Sequence, residues 1–282
     1  MAELIVLSHY QATPLLAARQ ARRRRVVTSL DLGRTTAQVN IGAEHITFAD
    51  GQQLSWDAVE RIAESENQCF IVSEGAVRAI QLFSETTDWP RSLYPTPGAP
   101  TTLVAGFPMH RVKDTDPWED TRKKIEALAP VVGAVLDIAT GLGYTAIEAA
   151  KTADHVTTIE YDPTALEIAR LNPWSRELFD NPKITLLVGD AFELIRTRGD
   201  GTFARILHDP PTFSLAGELY GEEFYREACR VLAPGGRMFH YIGDPASKFG
   251  RRMTRGVVER LQAAGFRRVV RKAEAFGVLA YK

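Results

Sequence analysis

The sequence predicts an α/β protein: a doubly wound, mostly parallel seven-stranded sheet with an antiparallel C-terminal strand, plus a smaller N-terminal β-rich domain. Three observations predict it. From about residue 116, strand-like and helix-like segments alternate. The first strands of that half are near-continuous apolar runs, as in a parallel sheet covered on both faces. From about residue 26 to 112 the chain is mostly short β-prone runs broken by Gly, Asp and Asn. The expected division is therefore 1–115, an N-terminal β-rich substrate or accessory domain, and 116–282, the doubly wound domain.

In the first part a helix is expected over about 11–24, ending in "RRRR". Strands follow in "VVTSLDLG", "AQVNI", "HITFADGQQLSW" and "FIVSEGAVRAIQLF". Ser55 is placed to cap a short helix in "SWDAVERIAES". The prolines of "WPRSLYPTPGAPTTLVAGFPMHRV" forbid regular helix and suggest a draped segment. "DPWEDTRKKIEALA" then opens a helix, with Asp116 capping and Pro117 at the first helical position. Five strand–helix pairs come next: "GAVLDIA" with "YTAIEAAKTA", "HVTTIEY" with "PTALEIARL", "KITLLVGD" with "AFELIRT", "FARILHD" with "GEEFYREACRVL", and "GRMFHYIG" with "RRMTRGVVERLQAAG". Phe224, Tyr225, Ala228, Val231 and Leu232 share one side of the fourth helix, so it packs on the sheet. The closing strands "FRRVVRK" and "FGVLAYK" are too close for a helical crossover, so one of them runs antiparallel.

Composition narrows the class. The chain is 45% hydrophobic and 24% charged, with a formal net charge of −1, which gives no overall polyanion-binding excess. A local basic patch is enough for nucleic acid, so RNA stays open as a partner. Two cysteines without a CxxC pair argue against a disulfide scaffold and fit a reducing compartment. The N-terminus lacks the basic region of a signal peptide, and no run is apolar and long enough to span a bilayer. A cytoplasmic protein with no membrane partner is expected, its oligomeric state open. The six histidines show no ligand spacing, so no metal is expected.

In doubly wound sheets ligands sit at the carboxyl ends of the strands. The first such end delivers "LDIATGLGYTA", where Gly141 and Gly143 permit a tight turn and close backbone approach. The second delivers Glu160, an acid suited to a ribose diol. The third delivers Asp190, either an acceptor for a purine amino group or the N-cap of the next helix. The fourth delivers "HDPPTF", in which two prolines stiffen the chain beside Asp209.

Together, "VLDIATGLGYTA", "TTIEYDP", "LLVGDA", "HDPPTF" and "VLAPGGRMFHYIG" resemble the class I S-adenosylmethionine (SAM)-dependent methyltransferases over about 116–282. The resemblance implies SAM as cofactor. It places Asp137, Gly141 and Gly143 on the methionine part, Glu160 on the ribose and Asp190 on adenine, with Thr140, Tyr144, Tyr161 and Ala191 beside them. The usual third loop glycine is replaced by Thr145. Family members that methylate a nitrogen conjugated to a π-system carry Asn, Asp or Ser before Pro-Pro at this place. That implies Asp209 as acceptor for the target N–H, assisted by the Pro210 carbonyl, stabilising positive character as the nitrogen rehybridises. His208 reads as a proton relay or as a packed strand residue. The aromatic that usually follows the prolines is displaced to Phe213, which either stacks on the acceptor or fills the core.

Further substrate contacts are sought at His110, Arg111, Asp116 and Trp118, at Ser214, Glu218 and Tyr220, and in "LNPWSRELF", whose "NPW" suggests a lid. Arg22–Arg25 reads as a phosphate contact or a solvated helix end. C5-pyrimidine methylation needs a cysteine beside the DPP loop, and neither Cys69 nor Cys229 lies there. Three rivals remain. An NAD-dependent enzyme would use "GLGYTA", but "HDPP" has no task in hydride transfer. An aminopropyltransferase of the polyamine-synthase type shares the sheet and a β-rich N-terminal domain and takes decarboxylated SAM. A catalytically idle adaptor would not need Asp209. The methyl acceptor itself — RNA base, protein amide or small metabolite — is not identified by these motifs.

Overall fold

The computed structural model describes residues 4–213, 216–244 and 246–282, with Phe249 described by its backbone alone. Two compact units emerge: Met1–Trp118 with Thr164–Arg176, and Glu119–Pro163 with Glu177–Lys282.

In chain order the first unit starts with β1 (Ile5–Leu7), α1 (His9–Gln20), β2 (Arg25–Thr28), β3 (Ala37–Ile41), β4 (His45–Thr47), β5 (Gln53–Ser55) and α2 (Trp56–Glu64). It continues with β6 (Phe70–Ser73), β7 (Ala76–Ala79), β8 (Gln81–Ser84), β9 (Trp89–Tyr94), β10 (Thr101–Val104) and β11 (Phe107–Pro108). These strands build three antiparallel sheets, β1-β6-β7, β2-β3-β4-β5 and β11-β10-β9-β8. Ser8 caps α1 in a reciprocal pair with Gln11, and Ser55 caps α2 by accepting from the Ala58 N–H. Leu7, Leu15, Val39, Ile46, Leu54, Val59 and Ile62 form its core.

Three expectations for this half are corrected. Within residues 89–108, 89–94, 101–104 and 107–108 are strands rather than a draped segment. Pro95, Pro97 and Pro100 fall between β9 and β10, while Pro90 sits second in β9, where the fixed φ suits an extended chain. The short strand β1 went unread within "LIVL". The N-terminal helix stops at Gln20; Arg22 turns with φ 50° and Arg25 begins β2, all four arginines of the run being exposed.

The second half of the chain holds α3 (Pro117–Leu128), β12 (Ala134–Ile138), α4 (Tyr144–Ala150), β13 (His155–Glu160), α5 (Pro163–Arg170), a 3-10 turn at Pro173–Ser175, α6 (Arg176–Asp180), β14 (Ile184–Val188) and α7 (Ala191–Arg196). Then come β15 (Phe203–His208), a 3-10 turn at Gly217–Tyr220, α8 (Glu222–Val231), β16 (Leu232–Tyr241), α9 (Lys248–Ala263), β17 (Arg268–Lys272), a 3-10 turn at Ala273–Ala275 and β18 (Gly277–Tyr281). The seven strands β12–β18 form one sheet in the order β14-β13-β12-β15-β16-β18-β17. The first five are parallel, and β18 runs antiparallel to both neighbours. This is the expected doubly wound sheet. The chain order reverses between β12 and β15, so the switch point lies where their carboxyl ends meet. Leu136, Ile138, Ile206, Phe224, Tyr225, Met238, Val257 and Leu261 are buried in one cluster around it. The strand β16 starts at Leu232, four residues before the expected "GRMFHYIG".

The segment offered as a lid is packed. Asn172 caps the 3-10 turn, Ser175 and Leu178 are buried, and the Trp174 indole N–H donates to the Leu32 carbonyl.

Candidate active site

At the end of β12 the backbone leaves the sheet under strain. Ala139 takes φ 69°, a left-handed conformation rare for alanine, and is held there by its N–H on the Ile159 carbonyl at 3.1 Å. Gly141 follows with φ 53°, and a side chain there would meet nothing within 4 Å. Gly143 has φ 75°, and a Cβ on it would lie 2.6 Å from Leu178 Cδ2. One glycine thus faces open space and the other a packed leucine. Tyr144 begins α4 and is buried.

Glu160 ties this loop to the next strand end. Its Oε2 accepts from the Gly141 N–H at 2.8 Å and its Oε1 from the Asp162 N–H at 3.0 Å. Tyr161 beside it is 54% exposed. Below the loop the Thr140 and Thr158 hydroxyls meet at 2.6 Å, and Thr158 donates to Asp137 Oδ2 at 2.7 Å. Asp137 Oδ1 is buried and meets no donor in hydrogen-bonding geometry. Burial pushes the Asp137 carboxyl up to about 7, against the pull of the neighbouring threonine hydroxyls. Asp190 caps α7, its Oδ1 accepting from the Phe192 and Glu193 N–H groups, and Ala191 is buried behind it.

Asp209 leaves β15 beside this loop, its N–H directed at the Ile138 carbonyl at 3.3 Å. Lys124 Nζ donates to Asp209 Oδ2 at 2.6 Å and lies 3.0 Å from Asp120 Oδ2. The ammonium also sits 4.5 Å from the centroid of the Tyr241 ring. Lys124 and Asp120 are fully buried, while the Asp209 side chain keeps 18% of its surface. Burial raises the Asp209 carboxyl and Lys124 opposes it. For Lys124 burial works against the charge, yet Asp209 and Asp120 outweigh it and hold the ammonium protonated. The sequence reading missed both partners. The signal available was Asp120 and Lys124 one helical turn apart on α3; their burial is a property of the fold.

The rest of the DPP loop is clamped from behind. Pro210 is buried. The Tyr220 hydroxyl donates to the Pro211 carbonyl at 3.0 Å, and Arg260 Nε donates to the Tyr220 carbonyl at 2.8 Å. Tyr220 is therefore a brace for the loop, its phenolic proton already committed. His208 is corrected to the packed reading. It is fully buried, stacks on Phe224 at 4.8 Å, and pairs its Nε2 with the Leu219 carbonyl. Burial lowers it to about 4, which suits a neutral core side chain and not a relay. Phe213 is 49% exposed with its ring edge-on to Tyr220. Ser214 lies outside the described residues. His110 and Arg111 fall in the first unit, where His110 Nδ1 pairs with the Thr101 hydroxyl at 2.9 Å. Asp116 caps α3 by accepting from the Trp118 N–H.

Residues 135–236, spanning the glycine loop, Glu160, Asp190 and Asp209, match the model of a methyltransferase domain family. The uncharacterized protein MJ1233 of Methanocaldococcus jannaschii is 42% identical over 263 residues, covering 91% of this chain and 89% of the relative. The chain belongs to the MJ1233 family. A polyamine aminopropyltransferase of Mycobacterium tuberculosis is 35% identical over 101 residues, a third of this chain but only 19% of that protein. Among solved structures, spermidine synthase from Thermotoga maritima superposes with a TM-score of 0.54 at 20% identity, over 74% of this chain and 75% of that one. At that identity the likeness speaks for the fold.

The chain therefore carries a class I Rossmann-like domain of the methyltransferase type, and its cofactor is of the SAM type, intact or decarboxylated. The residues present fit it. Gly141 offers open space, Asp137 presents a buried oxygen without a donor, and Glu160 stands at the second strand end.

Proposed function

We propose that this protein of the MJ1233 family is a SAM-dependent methyltransferase acting on a nitrogen conjugated to a π-system. The observation that carries the proposal is Asp209: a carboxylate at the switch point, beside the glycine loop, stiffened by Pro210 and Pro211 and held by a buried lysine. Gly141, Gly143 and Asp137 would hold the methionine part of the cofactor, Glu160 the ribose, and Asp190 the adenine edge. When bound, the cofactor supplies an electrophilic carbon on a sulfonium. Asp209 accepts the acceptor's N–H, orients its lone pair and balances the charge that grows on nitrogen. Lys124 favours the ionised form of that carboxylate and holds it in place, and Tyr220 keeps the loop from yielding. Phe213, half-exposed on this loop, offers a face for a planar acceptor.

A second reading is aminopropyl transfer, favoured by the local identity to polyamine aminopropyltransferases. The same carboxylate would serve it, since in both reactions a nitrogen would attack a carbon bound to the sulfonium, the C–N bond forming as the C–S bond breaks and a thioether leaves. Calorimetric titration with SAM and decarboxylated SAM separates the two: tighter binding of SAM supports methyl transfer, and preference for the decarboxylated form overturns it. Tritium from methyl-labelled SAM, followed into RNA, protein and small-molecule fractions of cell extract, then identifies the acceptor class.

A further inference from the structure

Behind the Asp209 loop, two chains of hydrogen bonds run to carbonyls on either side of it, and both start at one side chain. Arg260, half-buried in the last turn of α9, donates from Nε to the Tyr220 carbonyl at 2.8 Å, and the Tyr220 hydroxyl donates to the Pro211 carbonyl at 3.0 Å. The Arg260 guanidinium also lies beside the Tyr225 hydroxyl: burial raises that group, while the charge and a hydrogen bond of Arg260 oppose the rise. The Tyr225 hydroxyl meets His240 Nε2 at 2.9 Å, and His240 Nδ1 lies 3.3 Å from the His208 carbonyl. His208 and Pro211 bracket Asp209 and Pro210.

The donors along both routes point toward the loop. A carbonyl can only accept, so in the neutral, buried His240 the single ring proton sits on Nδ1. Nε2 then accepts, so the Tyr225 hydroxyl donates to it and the Tyr225 oxygen is left to accept from Arg260. A guanidinium carries only donors and stays charged, which makes Arg260 the fixed end of both chains.

Gly256 supplies a second, independent observation. It stands one helical turn before Arg260 inside α9, where glycine is the least favourable residue after proline. A Cβ there would lie 3.0 Å from Arg260 Nη1. The guanidinium thus lies against bare backbone, on ground that a larger residue at 256 would need.

We propose that Arg260 is a positioning residue for methyl transfer: it anchors the carbonyls of His208 and Pro211 and so fixes the direction in which Asp209 faces the acceptor nitrogen. Its meaning for the reaction rests on the reading of Asp209 as the group that accepts the N–H; the anchoring of the loop does not. Misplacing an orienting group costs rate. Cofactor binding is spared, because Gly141 and Glu160 hold each other through their own hydrogen bond.

The test compares the full wild-type chain with R260Q, R260K and G256A. Amide hydrogen exchange of a peptide covering residues 204–213, in the cofactor-free protein, reads the loop. Tritium passed from methyl-labelled SAM to cell extract at varied SAM concentration reads turnover and apparent KM. In R260Q the loop peptide should exchange about tenfold faster, the scale of one lost charge-assisted bond, with residues 155–160 of β13 unchanged. Turnover should fall about tenfold or more, with the apparent KM for SAM within about twofold of wild type. R260K keeps the charge and one reach and should recover part of the turnover. G256A puts a better helix former in α9, so its denaturation midpoint should hold or rise while turnover falls, a pair that loss of fold cannot produce. Wild-type exchange at 204–213 in R260Q, or full turnover despite faster exchange, overturns the proposal. Should R260Q not fold, G256A decides: wild-type exchange and turnover there overturn it equally. A wild type that labels no fraction defeats the methyl-transfer reading itself, and the exchange result still decides whether Arg260 holds the loop.

Discussion

Asp209, Lys124 and Asp120 act as one charged unit with a single cation between two carboxylates. Replacing Asp209 by Asn keeps its shape and removes its charge. Turnover is expected to fall at least a hundredfold, the scale of one lost electrostatic contact in a transition state, while SAM affinity by calorimetry stays within a few-fold; undiminished turnover would remove Asp209 from the chemistry. Lys124→Met removes the cation beside two carboxylates and should destabilise the protein by about 3–5 kcal/mol in chemical denaturation. Adding Asp209→Asn to that variant should restore part of the loss, because one orphaned charge is gone. Asp137 gives a pH signature. Its folded pKa of about 7 lies above its ordinary value of 3.8, so its protonated form is favoured by folding and stability declines as pH rises from about 4 to 7. Asp137→Asn should flatten that part of the profile, read as denaturation midpoints in the cofactor-free protein. Much of this site was legible. The glycines, Glu160, Asp190 and Asp209 each stand at a strand end, and strand ends follow from periodicity. Lys124 and Asp120 were not legible, because charged residues on an amphipathic helix read as solvent-facing until a fold covers them.

At the scale of elements, the turn from β12 into α4 depends on the packing behind it. Gly143→Ala would push a Cβ into Leu178 from a left-handed backbone and should destabilise by about 1–3 kcal/mol. Leu178→Ala should be relieved rather than worsened when combined with it, a coupling that a double-mutant thermal series detects; strict additivity would show the two do not compete for space. The centre of the sheet carries its own acid sensitivity. His208 on β15 and His240 on β16 are buried and neutral, with pKa values below 6.5, so folding excludes their charged forms and stability falls as pH drops from about 6.5 toward 4. The Tyr225 hydroxyl at 2.9 Å from His240 Nε2 and the Leu219 carbonyl on His208 anchor the pair. The doubly wound half was read closely from sequence because buried parallel strands leave unbroken apolar runs. The strands of 89–108 were obscured because five prolines in twenty residues hide alternation, although extended chain accommodates their φ.

For the whole molecule, the chain does not divide at a single point. Thr164–Arg176 lies within the second half of the sequence but belongs to the first compact unit. Arg34 reaches the Pro173 carbonyl at 2.9 Å, Trp174 donates to Leu32, and the Trp118 and Trp174 rings lie 5.3 Å apart. A chain starting at residue 116 would lose the Leu32 and Arg34 partners of this segment, so it should express with low solubility and a red-shifted tryptophan emission; a soluble fragment with the native spectrum would refute that expectation. Contact between residues far apart in sequence also sets an order of events on the ribosome. The amino-terminal half cannot complete its structure when it first emerges, since one of its own pieces is translated only after β12 and β13. Assembly of the two halves is consequently interleaved in time, and a pause in translation before residue 176 would leave the early half waiting.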